Sequence, residues 1–125
     1  MLDNKGDAKD LSVKEKKALQ VLTKIVDVIS EGADVAKVFS DQEYTIFEIS
    51  KADPGIIIGK HGHTLDAIQY LVNMIVNKET DNNYQRLYIV DIDGYRKRRE
   101  ESLKRYVVEK AEIVKERGKT VELYF

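Results

Sequence analysis

The chain has 125 residues, enough for one domain or one domain with an appendage, and a hydrophobic content of 42% suffices for a modest core. Cysteine is absent, which excludes disulfides, thiolate metal sites and thiol catalysis and fits a reducing compartment. The net charge of −1 carries no nucleic-acid signature, yet residues 1–91 hold 11 Lys and Arg against 15 Asp and Glu while residues 92–125 hold 10 against 7, so a short basic part follows a mildly acidic one.

Residues 1–11 are polar, lack the apolar core of a signal peptide, and read as a tail or linker. No apolar run approaches the ~18 residues of a membrane span, so no membrane insertion is expected. Ser12 predicts a helix start, with Glu15 three residues on completing a capping box. Leu19, Leu22, Val26 and Ile29, flanked by Val21, Ile25 and Val28, give helical spacing with a broad apolar face to Gly32. The first helix is therefore expected over about 12–31. Residues 35–39 form a short β-prone run, 40–42 a turn, and Tyr44, Ile46 and Glu48 alternate with Thr45, Phe47 and Ile49 as a half-buried strand.

The stretch 53–64 carries three of the seven glycines, the single proline and both histidines. Asp53 and Pro54 start a helix as cap and first residue. It can reach only about Ile58, because Gly59 and Gly62 interrupt. A second helix starts near His63 or Thr64, with Leu65, Ile68, Leu71, Val72, Ile75 and Val76 as its apolar face. Residues 77–83 are a polar loop. Residues 86–92 form a strand with Leu87, Ile89 and Asp91 on one face. Gly94 breaks it, and a long helix follows over 95–117 with an apolar stripe of Leu103, Tyr106, Val107, Ala111 and Val114. Gly118 ends that helix, and Thr120 to Phe125 read as a final strand in which the sequence stops, as at a truncation or a junction.

The glycines at 59 and 62 admit a ligand phosphate close to backbone N–H groups. The following helix points its N-terminus at the same place, and Lys60 adds a mobile charge. On loop chemistry alone, phosphate contact and a plain helix–turn–helix stand level. The run from Gly55 to Lys60 is not a nucleotide-binding P-loop: that motif needs four residues between its glycines and Ser or Thr after the lysine, whereas three residues separate Gly55 from Gly59 and His61 follows Lys60. No carboxylate pair or Ser/His/Asp set converges on the loop, so no enzyme is expected. His61 and His63 make a His-x-His with no cysteine beside it, and the expectation is exposed loop histidines with no metal and no cofactor. The tyrosines at 70, 84, 88, 95 and 106 are expected to serve packing rather than base stacking.

The order helix, strand, strand, short helix, Gly-x-x-Gly, helix, strand resembles a bacterial, type II KH domain, and residues 57–62 (Ile-Ile-Gly-Lys-His-Gly) look like its signature. Residues 91–101 further resemble the junction after the KH domain in the sporulation-associated Jag (KhpB) family. There a second module follows, named for an Arg-x-x-x-His pair. The helix 95–117 matches its opening, but none of the six arginines here (86, 96, 98, 99, 105, 117) has His four positions on. The resemblance implies an α+β fold: a three-stranded mixed sheet packed against three helices over 12–93. A long helix and short strand over 94–125 would begin a second, incomplete nucleic-acid module.

It also implies single-stranded RNA bound by Gly59, Lys60, His61 and Gly62, with Ile57 and Ile58 beside Ile56 flooring a groove walled by the strand at 86–92. Arg96, Arg98 and Arg99 would be a second contact, level with the alternative of a solvated helix face. The resemblance further implies a cytoplasmic post-transcriptional regulator linked to cell elongation, envelope growth or sporulation, partnered by a small KH protein. The alternative is a protein-interaction module that self-associates through the apolar face of helix 12–31 or a sheet edge.

Overall fold

The computed structural model describes residues 11–78 and 86–117, in two compact units, Met1–Asp93 and Gly94–Phe125. The first contains α1 (Val13–Ile29), β1 (Asp34–Ser40), β2 (Tyr44–Ser50), α2 (Pro54–Ile58), α3 (His63–Asn77) and β3 (Leu87–Ile92). The second contains α4 (Tyr95–Arg117). The expected final strand at 120–125 and most of the expected loop at 77–83 lie outside the described residues; Asn77 itself is the last residue of α3.

The sheet has the order β1-β2-β3. β1 and β2 form an antiparallel hairpin from Asp34↔Ser50 to Ser40↔Thr45, with the register shifting between Lys37 and Phe39. β2 and β3 run parallel from Tyr44↔Leu87 to Ile49↔Ile92, and their crossover consists of α2 and α3. This is the mixed three-stranded α+β arrangement expected of a KH domain.

A period of two puts Thr45, Phe47 and Ile49 of β2 and Tyr88, Val90 and Ile92 of β3 on the buried face. They meet Ala18, Leu22 and Val26 of α1, Ile57 of α2, and Leu65, Ile68, Val72 and Val76 of α3. Leu87, Ile89 and Asp91 do share a face, as expected, but it is the outer one, and Leu87 is 49% exposed. Both β3 faces are apolar enough to serve, so the parity is set by the bulky Tyr88 packing on Phe47, ring centroids 6.3 Å apart, rather than by Leu87. Of the broad apolar face of α1, Leu22 and Val26 are buried and Leu19, Val21, Ile25 and Ile29 half-buried, while Val13 and Val28 stand well out.

The capping box at the start of α1 is present: the Glu15 N–H donates to Ser12 Oγ (3.1 Å) and the Ser12 N–H to Glu15 Oε1 (3.1 Å). Glu15 does more than cap. Its side chain is buried beneath the hairpin, where Oε2 accepts from Ser40 Oγ (2.5 Å) and Thr45 Oγ1 (2.6 Å), and Lys37 Nζ lies 3.4 Å from Oε1. Arg86 closes the group. Its Nε donates to Thr45 Oγ1 (2.9 Å), its Nη2 to Ser40 Oγ and the Tyr44 carbonyl (both 2.9 Å) and to the Asp41 carbonyl. Burial alone would raise the Glu15 carboxyl pKa. The Ser40 and Thr45 hydroxyls, the Ser12 N–H and the Lys37 ammonium outweigh burial and bring the pKa down to about 2. The group ties α1, the β-hairpin and the start of β3 together through side chains far apart in sequence.

Candidate nucleic-acid interface

The loop at 59–62 is built by glycine geometry. Asp53 caps α2, its Oδ1 accepting the Gly55 N–H at 2.9 Å, and Pro54 occupies the first turn. Gly59 then leaves the helix at φ 70°, ψ −171°, a region essentially reserved for glycine. A Cβ there would lie 2.2 Å from Thr64 Oγ1 and 2.8 Å from Thr64 Cβ, so no other residue fits. Residues 60–62 form one 3₁₀ turn in which His61 is left-handed (φ 56°). Gly62, also left-handed at φ 80°, occupies the N-cap position of α3 and offers no side chain to its first N–H groups. Lys60 and His61 are both exposed at the turn, while Gly62 is buried beneath it. The His61 and His63 rings stand edge to face, 6.0 Å between centroids. Among the described residues no group of three His, Cys, Asp or Glu side chains is placed to hold a metal ion. No described helix is long and apolar enough to cross a membrane.

The three isoleucines before the loop separate. Ile57 is fully buried, a core residue with no surface to offer a ligand; Ile58 is half-buried; Ile56 is 53% exposed. A helical turn cannot present three successive side chains to one side: with Ile57 in the core, only Ile56 and Ile58 keep any surface, and two residues apart they lie on different sides of the turn rather than forming one floor.

The wall beyond the loop has a feature the apolar pattern did not reveal. Gln69, Asn73 and Asn77 recur every fourth residue on the flank of the α3 stripe, which places them in one row facing the outer edge of β3. Gln69 Oε1 accepts the Val90 N–H (2.8 Å). Asn73 accepts the Tyr88 N–H (2.8 Å) and donates to the Tyr88 carbonyl (2.7 Å). Asn77 accepts the Arg86 N–H (3.2 Å) and donates to the Arg86 carbonyl (2.9 Å). The edge backbone of β3, which would otherwise pair with another strand, is satisfied by helix side chains. Spacing four among amides beside an apolar stripe was the available signal. Outside this row lies an open recess lined by Tyr70, Asn73, Met74, Asn77 and Lys78.

Arg96, Arg98 and Arg99 belong to the other unit, at the start of α4. Helical geometry spreads residues 96–99 around the helix: Arg96 and Arg99, three apart, share a half-buried side, while Lys97 and Arg98 are exposed. Further along, Lys104 pairs with Glu100 (3.7 Å) and Lys110 lies over the Tyr106 ring (5.3 Å to centroid).

Residues 15–89 match the family model described as KhpA/KhpB, KH domain. Two curated proteins are similar over most of the chain. An RNA-binding protein KhpB of Clostridium symbiosum is 33% identical over 117 residues, 93% of this chain and 52% of that protein. An RNA-binding protein KhpB of Lactiplantibacillus plantarum is 31% identical over 102 residues, 82% of this chain and 31% of that protein. The chain spans about half or less of the length of these relatives.

Proposed function

The chain belongs to the KhpA/KhpB family of KH domains, and from that premise we propose that it binds single-stranded RNA, holding a phosphate at the loop 59–62. The observation that carries the reading is the Gly59 backbone. Its conformation excludes a side chain, brings the turn directly against Thr64, and leaves the uncapped N-terminus of α3 beside Lys60 and His61. Backbone N–H groups, a helix N-terminus and a mobile ammonium are the elements that hold a phosphodiester without regard to base. Ile56 and the exposed part of Ile58 border the same loop and are the apolar residues available to a nucleotide there. KH modules clamp about four nucleotides by such a loop, which selects unpaired strands over duplex.

The role is binding rather than catalysis, in a cytoplasmic regulator acting after transcription, with elongation, envelope growth or sporulation as the setting and a small KH protein as partner. Arg96, Arg98 and Arg99 supply supplementary phosphate contacts. The decisive experiment replaces Lys60 and His61 together by Asp. The loop is exposed, so the fold survives, and two carboxylates then face the phosphate. Binding of short single-stranded RNA is expected to fall at least ten-fold, with a shallower salt dependence because fewer counterions are released. Parent-like binding by the double variant would remove the loop from the interface.

A further inference from the structure

In an edge strand alternate residues turn their N–H and C=O groups outward, where another strand or a planar ligand edge can pair with them. In β3 the Leu87 N–H turns inward to the Glu43 carbonyl, so Arg86, Tyr88 and Val90 are the outward residues. Both groups of Arg86, both groups of Tyr88 and the Val90 N–H are already taken by Asn77, Asn73 and Gln69. Asn73 has spent both of its N–H donors, on the Gln69 and Tyr88 carbonyls. Asn77 pairs with both backbone groups of Arg86 through one side of its amide, so its remaining hydrogen and lone pair diverge and cannot grip a base edge two-handed. The strand therefore has little hydrogen-bonding capacity left with which to distinguish one base from another.

The surface directly outside the row is different in kind. Tyr70 is 66% exposed and Met74 48% exposed, one helical turn apart, with Lys78 a further turn along. They line the recess together with Asn73 and Asn77. Tyr70 lies ~10 Å and Lys78 ~22 Å along α3 from His63, where the glycine loop delivers the helix. Lys60 before the helix and Lys78 at its far end, with the exposed ring of Tyr70 between them and the single carboxylate of Asp66 a turn before that ring, match an extended polyanion carrying flat bases, about the length KH modules hold.

Resting on the RNA-binding reading above, we infer that the outer side of α3 is a base-stacking platform in which Tyr70 carries a nucleobase, Met74 lies beside it and Lys78 holds the next phosphate. Recognition on this side is by stacking, so it is tolerant of sequence. The phosphate loop fixes the strand; Tyr70 supplies affinity without a code.

The test compares the parent chain, Tyr70→Ala, Tyr70→Phe and the Lys60→Asp/His61→Asp double variant, each titrated with short labelled oligoadenylate and oligouridylate at two salt concentrations. Tyr70→Ala is expected to weaken both oligomers roughly ten-fold with an unchanged salt dependence, because a neutral ring releases no counterions. Tyr70→Phe keeps the parent affinity. A 2-aminopurine base in the strand is quenched by the parent and the Phe variant and not by the Ala variant, a signature that a merely structural tyrosine would not give. Parent-like binding by Tyr70→Ala, alongside loss in the double variant, overturns the platform and leaves the loop reading intact. No RNA binding by the parent overturns both. A parent dimer that Tyr70→Ala converts to monomer overturns the platform in favour of self-association. A parent that separates the two oligomers by a hundred-fold overturns the sequence tolerance.

Discussion

α3 and α4 are both long helices with apolar residues at helical spacing, yet only α3 is held in a core. Leu65, Ile68, Val72 and Val76 of α3 are buried, whereas no described side chain of α4 is. The two stripes also differ in what flanks them. In α3 the stripe is edged by amides that find backbone partners on β3, so the helix is fixed by apolar contact and by hydrogen bonds at once. In α4 it is edged by Lys, Arg and Glu, and the pairs that form, such as Lys104 with Glu100, are exposed pairs worth little to stability. Amphipathic spacing alone therefore states which side of a helix is apolar; whether that side is covered depends on its surroundings.

The largest expected break of this contrast is Leu65→Ala. Leu65 is fully buried, and the lost transfer energy plus a residual cavity should cost about 3 kcal/mol, read as a lower urea midpoint. The matching change in α4, Leu103→Ala, should cost under about 0.5 kcal/mol. Equal costs would show that the stripe of α4 is covered after all.

Glu15→Ala probes the polar anchor of the same unit. It leaves Lys37 and Arg86 partly buried without their carboxylate, and a loss of about 3 kcal/mol is expected at neutral pH. The pH dependence has a definite sign. The folded carboxyl pKa lies below the unfolded value, so the unfolded chain binds more protons as the medium acidifies. The contribution is fully present above the usual value of 4.5 and is lost as pH falls toward about 2. In the Ala variant this acid-side slope should be missing; a slope unchanged from the parent would show that other carboxyls carry it.

A smaller effect sharpens the role of the amide row. Asn73→Ala orphans the N–H and C=O of Tyr88 and should cost about 2 kcal/mol. Because it also frees that strand edge, the variant should dimerise or aggregate more readily than the parent, measured by light scattering. A variant as monomeric as the parent would show that the row is not what keeps the edge closed. The smallest effect is expected for Gly32→Ala. Nothing lies near the added methyl, but φ is +86°, so about 1 kcal/mol of backbone strain is the whole cost.

Much of the first unit was legible in the sequence because the signals are local. The capping box of Ser12 and Glu15, the Asp53–Pro54 start and the stops at Gly59 and Gly62 each act over three or four residues. Their chemistry is complete before any other element arrives. The order of elements follows from these boundaries and from apolar periodicity, and the KH fold from the resemblance of that order and of residues 57–62 to the family. The start of α4 just after Gly94 was legible for the same reason.

Three things only the tertiary structure decided. The face of β3 that is buried was settled by Tyr88 meeting Phe47, since a two-residue period says that faces alternate and not which one points inward. The second role of Glu15, beyond its cap, exists only because Lys37, Ser40, Thr45 and Arg86 fold around it from up to 71 positions away. The closure of the β3 edge depends on α3 lying antiparallel beside that strand, so that amides four apart along the helix meet backbone groups two apart along the strand. One helical step of four, ~6 Å, nearly equals one strand step of two, ~6.6 Å, and that near-match is a property of packed elements that no single stretch of sequence contains.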